Sequence, residues 1–222
     1  MPQLPIEAIL PELKAVLARG SAAVVQAPPG AGKTTYVPLA LMHEEWLEGR
    51  TILMLEPRRL AARVAAARMA ALIDEPVGRT VGYRIRLDSK VGPQTRIEVL
   101  TEGILTRRIQ DDPVLEGVGL VIFDEFHERS LHADLGLALC LDSQAAVRRD
   151  LRIVVMSATL DCDPVAALLG HAPVLSASGL TYPVETRYRT PGRAHVREGS
   201  LKVREGEVVQ AVHAAVQARG WL

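Results

Sequence analysis

The chain has 222 residues, of which 48% are hydrophobic, and its 26 Lys and Arg balance 26 Asp and Glu. This length suits one sizeable core with part of a second domain. The sequence shows neither a charged-then-apolar leader nor an apolar run long enough to span a bilayer, so we expect a cytoplasmic protein. Cys140 and Cys162 lack the spacing of a zinc site or a disulfide framework, so we expect small side chains that are buried or half-buried.

Apolar runs alternate with helical patterns along most of the chain. The first pattern predicts a helix over residues 6–19, interrupted near Pro11, followed by an apolar strand over 22–25. Further strands are predicted at 51–55, 81–87, 96–100, 120–123 and 153–156, with a turn over 88–93 and helices at 59–72, 101–109, 131–147 and 164–169. Because several strands are uninterrupted apolar runs, the sequence predicts an α/β fold with a doubly wound, mostly parallel sheet.

The character of the chain changes after about residue 176. Extended segments are predicted at 182–185 and 187–189, followed by a linker rich in Pro, Gly and charge and by a helix over 205–218. We therefore expect a first domain over 1–189, a linker over 190–204 and, over 205–222, the first helix of a truncated second domain.

A phosphate-binding loop is predicted where the first apolar strand ends. Gly30 and Gly32 let consecutive backbone N–H groups face phosphate oxygens. Lys33 can reach the β- and γ-phosphates, and the Thr34 hydroxyl can complete the shell of a Mg²⁺ ion. Nucleotide contacts are expected from Pro29, Gly30, Ala31, Gly32, Lys33, Thr34 and Thr35.

One position departs from the strict pattern of such loops, because Ala27 stands where the pattern has glycine. Alanine lacks the freedom of glycine at positive φ, so we expect ordinary dihedrals at this entry position. A Gly-rich turn that simply precedes a helix is the alternative interpretation of the stretch.

Two adjacent carboxylates, Asp124 and Glu125, follow the buried strand predicted at 120–123. Ligands of open α/β sheets bind at the carboxyl ends of the strands. Asp124 can hold hydrated Mg²⁺, while Glu125 can orient and deprotonate an attacking water. A solvated strand end is the alternative. The spacing of His127 and His132 is one residue too long for the helical histidine pair of a zinc protease.

Charge is unevenly distributed along the chain. Residues 50–108 carry twelve Lys and Arg against six Asp and Glu, whereas residues 109–165 carry four against eleven. This asymmetry indicates a strip that faces a polyanion beside a metal-binding region. Ordinary solvated helix faces would give the same pattern.

Five motifs, in order, resemble those of the DEAH-box helicases. They are Ala-Pro-Pro-Gly-Ala-Gly-Lys-Thr-Thr at 27–35, Glu-Pro-Arg-Arg-Leu-Ala-Ala-Arg at 56–63, Thr-Glu-Gly-Ile-Leu at 101–105, Asp-Glu-Phe-His at 124–127 and Ser-Ala-Thr at 157–159. Two positions differ from the usual pattern, since Phe126 replaces alanine and Glu102 replaces a frequent aspartate. The resemblance implies a RecA-like nucleotide-binding domain with ATP and Mg²⁺ as cofactors.

The resemblance also assigns roles to individual residues. It implies that Lys33, Asp124, Glu125 and His127 take part in catalysis, and that His127, Ser157 and Thr159 couple the nucleotide site to domain movement. The resemblance also implies contacts with a single strand of RNA, or of nucleic acid more broadly. The residues implied are Arg58, Arg59 and Thr101, together with Arg86 in a turn that hooks the nucleic-acid strand. Arg68 occupies the position whose guanidinium stacks on adenine. The alternatives are that Arg58 and Arg59 hold their loop or pair with Glu56, and that Arg68 is a solvated helix residue.

The family places a second RecA-like domain after this one, and that domain supplies arginine fingers. We therefore expect this length of chain to bind Mg-nucleotide weakly and to hydrolyse it slowly. A nucleotide-dependent nucleic-acid-binding module without catalysis is one alternative. A P-loop kinase is another, although the Ser-Ala-Thr motif and the paired arginines at 58 and 59 favour a helicase. The sequence leaves the oligomeric state open.

Overall fold

A computed structural model describes residues 4–158 and 162–178 together with Val209. Except for Val209, these residues belong to the first of two compact units, Met1–Leu180. The predicted segments at 182–189, the linker and the helix over 205–218 lie outside the described residues, and so does Thr159. In the part of the chain that is described, no helix is long and apolar enough to cross a membrane.

One eight-stranded sheet organises the described residues. Its strands are β1 (Ala22–Gln26), β2 (Thr51–Glu56), β3 (Val81–Ile85), β4 (Asp88–Lys90), β5 (Ile97–Thr101), β6 (Val118–Phe123), β7 (Arg152–Ser157) and β8 (Val174–Ser176). Their order across the sheet is β4-β3-β5-β2-β6-β7-β1-β8. All neighbours are parallel except β3 and β4, which form an antiparallel hairpin. The predicted α/β fold with a mostly parallel sheet is confirmed.

Helices cover both faces of this sheet. They are α1 (Leu10–Arg19), α2 (Lys33–Leu41), α3 (Arg59–Leu72), α4 (Glu102–Asp111), α5 (Leu131–Ala146) and α6 (Asp163–Leu168), with 3₁₀ turns at Pro5–Ile9, Glu45–Leu47 and Phe126–Glu128. Side chains from α1, α2 and α3 join one core cluster, whereas α4, α5 and α6 join the other. The fold is therefore doubly wound, as predicted.

The central strands are apolar between their ends because each of their two faces packs against a layer of helices. In β2, Ile52 and Met54 belong to one core cluster, while Leu53 and Leu55 belong to the other. Successive side chains of a strand point to opposite faces, so a strand buried on both sides needs apolar residues at every position. Cys140 and Cys162 are both buried, as expected.

The hairpin of β3 and β4 corrects the prediction for this region. The first strand ends at Ile85 rather than at residue 87, and Asp88–Lys90 forms a strand rather than part of a turn. The chain reverses at Arg86 and Leu87, where Leu87 has a φ of +67°. The Asp88 carboxylate accepts a hydrogen bond from the Tyr83 hydroxyl at 2.9 Å and pairs with Arg63. These contacts hold the short edge strand β4 in place, and no local apolar pattern in the sequence predicts this strand.

Candidate functional site

The candidate site lies at the carboxyl edge of the sheet. The phosphate-binding loop connects β1 to α2, Asp124 follows β6, and Glu56 ends β2. These strands run parallel within the contiguous order β2-β6-β7-β1, so their carboxyl ends meet at one edge. Parallel sheets with crossover helices form their ligand sites at this edge.

The backbone of the phosphate-binding loop depends on its glycines. Gly30 and Gly32 have φ angles of +78° and +95°, where other residues would be strained. A Cβ atom on Gly32 would also lie 2.9 Å from Cδ1 of Leu4, because the first 3₁₀ turn packs over the loop. In that packing Ile6 N–H donates to the Ala31 carbonyl at 3.1 Å. The involvement of this N-terminal turn was not predicted.

The entry to the loop agrees with the sequence analysis. Ala27 is buried and has no positive φ, so alanine fits where glycine is usual. At the other end of the loop, Gly32 is the N-cap of α2 and leaves the first amides of that helix directed at the loop. Thr35 turns its hydroxyl back toward the Gly32 carbonyl at 3.5 Å, whereas Pro29 is exposed at the tip.

Lys33 and Thr34 connect the loop to the two carboxylates after β6. The Lys33 ammonium is only 4% exposed and lies 2.8 Å from Oε1 of Glu125. The Thr34 hydroxyl donates to Oδ2 of Asp124 at 2.5 Å. Two adjacent pairs of residues, about 90 positions apart in the sequence, therefore form one polar cluster.

Asp124 and Glu125 differ in their surroundings. Asp124 is buried, and this burial raises the pKa of its carboxyl group against the opposing effects of Thr34 and Lys33. The Glu125 side chain is 27% exposed, and its Oε2 lies 3.4 Å from Nδ1 of His127. The backbone of Glu125 has a φ of +49°, an uncommon value for a non-glycine residue. One carboxylate is thus held inside the protein while the other faces the site.

Glu56 is a further acidic residue of the site that sequence reasoning did not select. It is 3% exposed at the end of β2, next to the strand that leads to Asp124. Burial, together with the negative charge of Asp124, raises the pKa of Glu56 to about 9, so the group is neutral near pH 7. A carboxyl group that ends an otherwise apolar strand was the available signal.

His127 lies beside Ser157 and Ala158, the two described residues of the Ser-Ala-Thr motif. Ala158 N–H lies 3.4 Å from Nδ1 of His127, and Ser157, at the end of β7, is buried. The Ser157 carbonyl also accepts a hydrogen bond from Ala27 N–H at 3.0 Å, which joins the motif to the phosphate-binding loop.

The residues predicted to contact a nucleic-acid strand form two groups, the three arginines Arg58, Arg59 and Arg86 and, separately, Thr101. Arg58 pairs with Glu128 at 2.5 Å, and Arg59 donates to the carbonyl of Arg86 at 3.0 Å, so these three arginines lie around one surface. Thr101 ends β5 opposite Glu56 in the strand register. The alternative in which Arg58 pairs with Glu56 is wrong, because Glu56 is buried beside Asp124 and the partner of Arg58 is Glu128.

Arg68 lies in α3 and is exposed to solvent. Its side chain is on the exposed side of the helix, opposite Ala65, Ala66, Met69 and Ala70, which are buried.

The residues present suit a Mg-nucleotide. The loop offers positive-φ glycines and the start of a helix for phosphate oxygens. Thr34 and Asp124 bring a hydroxyl and a carboxylate oxygen within 2.5 Å of each other, and Mg²⁺ prefers such hard oxygen ligands. Lys33 can exchange its present partner, the Glu125 carboxylate, for phosphate oxygens of the same charge sign.

The fold and the site define a P-loop nucleotide-binding domain of the RecA-like type, and the family model "DEAD/DEAH box helicase" matches residues 7–168. The chain therefore belongs to the DEAD/DEAH box helicase family. It is 54% identical over 197 residues to the ATP-dependent RNA helicase HrpB of Escherichia coli, covering 89% of this chain and 24% of that protein.

Other similarities agree with this assignment. The chain is 36% identical over 186 residues to an HrpA homolog of Haemophilus influenzae, named an ATP-dependent RNA helicase, with 84% of this chain and 14% of the relative covered. The crystal structure of the Escherichia coli DEAH/RHA helicase HrpB superposes with a TM-score of 0.83 at 50% identity, covering 94% of this chain and 26% of that one. The chain spans about a quarter or less of the length of these relatives.

Proposed function

We propose that this chain is the first RecA-like motor domain, over residues 1–189, of an ATP-dependent RNA helicase. It binds Mg-ATP and couples hydrolysis to movement on single-stranded nucleic acid. The observation that carries the proposal is the polar cluster in which Lys33 meets Glu125 at 2.8 Å and Thr34 meets Asp124 at 2.5 Å. The names of the relatives, which are RNA helicases, support RNA as the strand. A location in the cytoplasm stays a prediction.

The residues of the cluster divide the work of phosphoryl transfer. Lys33 leaves Glu125 for β- and γ-phosphate oxygens, so the Glu125 carboxylate becomes available to orient and deprotonate the attacking water. Thr34 and Asp124 would hold hydrated Mg²⁺, which would neutralise phosphate charge. The exposed site face of Glu125 and the burial of Asp124 suit these two roles.

The remaining predicted residues complete the motor. The guanidinium groups of Arg58, Arg59 and Arg86 contact the backbone of the nucleic-acid strand, because planar guanidinium forks suit phosphate oxygens. The hydroxyl of Thr101 contacts the same backbone. Coupling to domain movement uses His127, Ser157 and Thr159, and the Ala158–His127 contact at 3.4 Å supports this part of the proposal. Arg68 stacks on adenine.

A second RecA-like domain closes over the nucleotide and supplies the arginine fingers. Arginine fingers contribute on the order of 10³–10⁵ in the rate of related phosphoryl transfers, so this chain alone is a weak ATPase. The linker over 190–204 and the segment over 205–222 lead into that domain.

ATP turnover tests the proposal. We would compare this chain with a version extended through the second domain, each with and without single-stranded RNA. We expect strong RNA stimulation only in the extended chain, and we expect the extended Glu125→Gln variant to bind ATP without turning it over. A single-stranded DNA of the same base order tests the choice of RNA.

Two results would contradict parts of the proposal. An extended chain whose slow turnover is unchanged by Glu125→Gln would favour a binding module without catalysis. Robust RNA-stimulated turnover by the 222-residue chain would refute the need for a second domain. Arg129, which now pairs with Asp134 at 2.9 Å, would then be the first arginine to replace.

A further inference from the structure

The segment between Asp124 and helix α5, residues 125–130, has a constrained conformation. Glu125 and Arg129, near its two ends, have φ angles of +49° and +42°, which non-glycine residues rarely adopt. Phe126 is buried between them and packs edge-on against Phe123, with ring centroids 6.1 Å apart. Contacts with neighbouring elements must therefore hold this segment in place, and such strained segments are frequent in switch regions.

The first of these contacts joins the segment to the loop after β2. Oε1 of Glu128 lies 2.5 Å from a terminal nitrogen of Arg58. The Arg58 side chain is 71% exposed and that of Glu128 is 32% exposed, so water and salt screen the pair. Ion pairs of this kind contribute little to stability, which means that another anion of suitable geometry can replace the carboxylate.

A cavity connects this ion pair to the hydrolytic residues. Its volume is about 260 Å³, and its walls include Thr34, Glu56, Arg58, Glu125 and Glu128. Glu128 and Glu125 therefore share one cavity as well as one short segment. Within that segment Glu128 N–H donates a hydrogen bond to the Glu125 carbonyl at 2.9 Å, so the two residues are also joined through the backbone.

A second contact fastens the same segment to the junction of β5 and α4. The Ser130 hydroxyl donates to Oε2 of Glu102 at 2.5 Å and accepts a hydrogen bond from Ala133 N–H at 3.0 Å as the N-cap of α5. Glu102 directly follows Thr101 at the start of α4. The loop after β2 and the junction of β5 and α4, which carry proposed contacts with a nucleic-acid strand, are thus both tied to the segment that carries Glu125.

We infer that Glu128 is a positioning residue that senses the strand by competing with it for Arg58. Without a nucleic-acid strand, the Glu128 carboxylate pairs with the Arg58 guanidinium group. When a strand binds, one of its phosphates replaces the Glu128 carboxylate at Arg58, and this releases the segment that carries Glu125. The inference rests on the proposed function in its assignment of Arg58 to the strand. Phosphate and carboxylate both suit the planar fork of arginine, which is why they exclude each other there.

Strand affinity in a double-mutant cycle tests the inference. Binding of a fluorescein-labelled single-stranded oligouridylate to this chain would be followed by anisotropy for the unaltered protein, Glu128→Gln, Arg58→Ala and the double variant. We expect Glu128→Gln to tighten binding roughly two- to fivefold, the range expected for an exposed ion pair. We expect no such gain in the Arg58→Ala background, since the competition has been removed.

Asp134→Asn provides a matched control. Asp134 is in the first turn of α5 and pairs with Arg129 rather than with Arg58, so its replacement removes the same charge nearby without freeing Arg58. We expect the affinity of this variant to stay close to that of the unaltered chain. Thermal midpoints of all variants would establish that each is folded.

The possible failures are distinguishable. An equal gain from Glu128→Gln with and without Arg58, or from Asp134→Asn, would show a general charge effect and overturn the inference. No gain at all would overturn it as well. If Arg58→Ala alone leaves affinity unchanged, Arg58 is no strand contact and the inference falls while the ATP-binding proposal stands. Absence of binding by the unaltered chain would refute the strand-binding part of the proposed function and the inference with it.

Discussion

Glu56 shows how burial of a single carboxyl group makes stability depend on pH. Its pKa rises from the ordinary value of 4.5 to about 9, chiefly through burial and then through the charge of Asp124. Between these two values the folded chain keeps a proton that the unfolded chain has lost. The free energy of unfolding therefore falls as pH rises through this window, and the stabilisation by Glu56 is fully present only below it.

We predict that Glu56→Gln makes the free energy of unfolding less dependent on pH between 4.5 and 9. An amide cannot lose the proton, so the slope should shrink by up to about 1.4 kcal/mol per pH unit. Urea unfolding at a series of pH values, without Mg²⁺ and nucleotide, measures this slope. Glu116→Gln, at an exposed position, is the control and should leave the slope unchanged. Equal slopes for Glu56→Gln and the unaltered protein would show that Glu56 is ionised in the folded state.

Residue types and spacing predict Lys33, Thr34, Asp124 and Glu125 as site residues, and the structure brings these four side chains into one polar cluster. The same patterns did not predict the partners that the sheet brings in from the side. Glu56 meets Asp124 only because β2 is hydrogen-bonded to β6, and Glu128 meets Arg58 only because residues 126–130 turn toward the end of β2. Strand order decides such contacts, and strand order is not visible in a local pattern.

At the scale of elements, the hairpin of β3 and β4 depends on close backbone approach at Gly82. A Cβ atom at this position would lie 2.3 Å from the carbonyl oxygen of Lys90, and backbone cannot move aside as a flexible side chain does. Gly103, in the first turn of α4, offers open space for a Cβ atom. The two glycines form a natural comparison.

We predict opposite effects for alanine at these positions. Gly82→Ala should lower the free energy of unfolding by about 1–3 kcal/mol, because β4 must shift to relieve the overlap. Gly103→Ala should raise it by up to about 1 kcal/mol, because alanine has less backbone freedom to lose in a helix. Urea unfolding measures both values. Equal stabilities for the two variants would mean that β4 does not pack against β3 as described.

The hairpin also marks the limit of element prediction. The predicted helix over 59–72 has the same bounds as α3, since its apolar and small residues recur with helical spacing. In contrast, Asp88–Lys90 contains no apolar residue, so its sequence resembles a turn. Its strand conformation comes from pairing with Tyr83–Ile85 and from the contacts of Asp88 with Arg63 and Tyr83. Tertiary contacts override the local preference there.

For the molecule as a whole, the proposed nucleotide site joins the loops after β1 and β6 of one continuous sheet, so ligand binding should stabilise the fold as a unit. At a Mg-ATP concentration 100 times the dissociation constant, mass action adds about 2.7 kcal/mol. For a chain of this size each kcal/mol raises the melting midpoint by about 2–4 °C, so we expect an increase of roughly 5–11 °C. Differential scanning fluorimetry with and without Mg-ATP measures it.

Two variants make this measurement specific. Lys33→Ala should lose the increase, because the ammonium group that receives the phosphates is absent, and its own midpoint without ligand supplies the baseline. Glu125→Gln should retain the increase, since it affects hydrolysis rather than binding. A full increase in Lys33→Ala would place the nucleotide elsewhere.

The N-terminal turn that packs over Gly32 bears on where the smallest nucleotide-binding unit begins. The family match starts at residue 7, after Leu4 and Ile6, yet these two side chains form a wall of the phosphate-binding loop. A protein trimmed to the family boundary would keep every signature motif and lose the packing that holds the Gly32 backbone. We therefore expect the functional boundary of this domain to lie upstream of the region that motifs define, where the side chains of Leu4 and Ile6 pack.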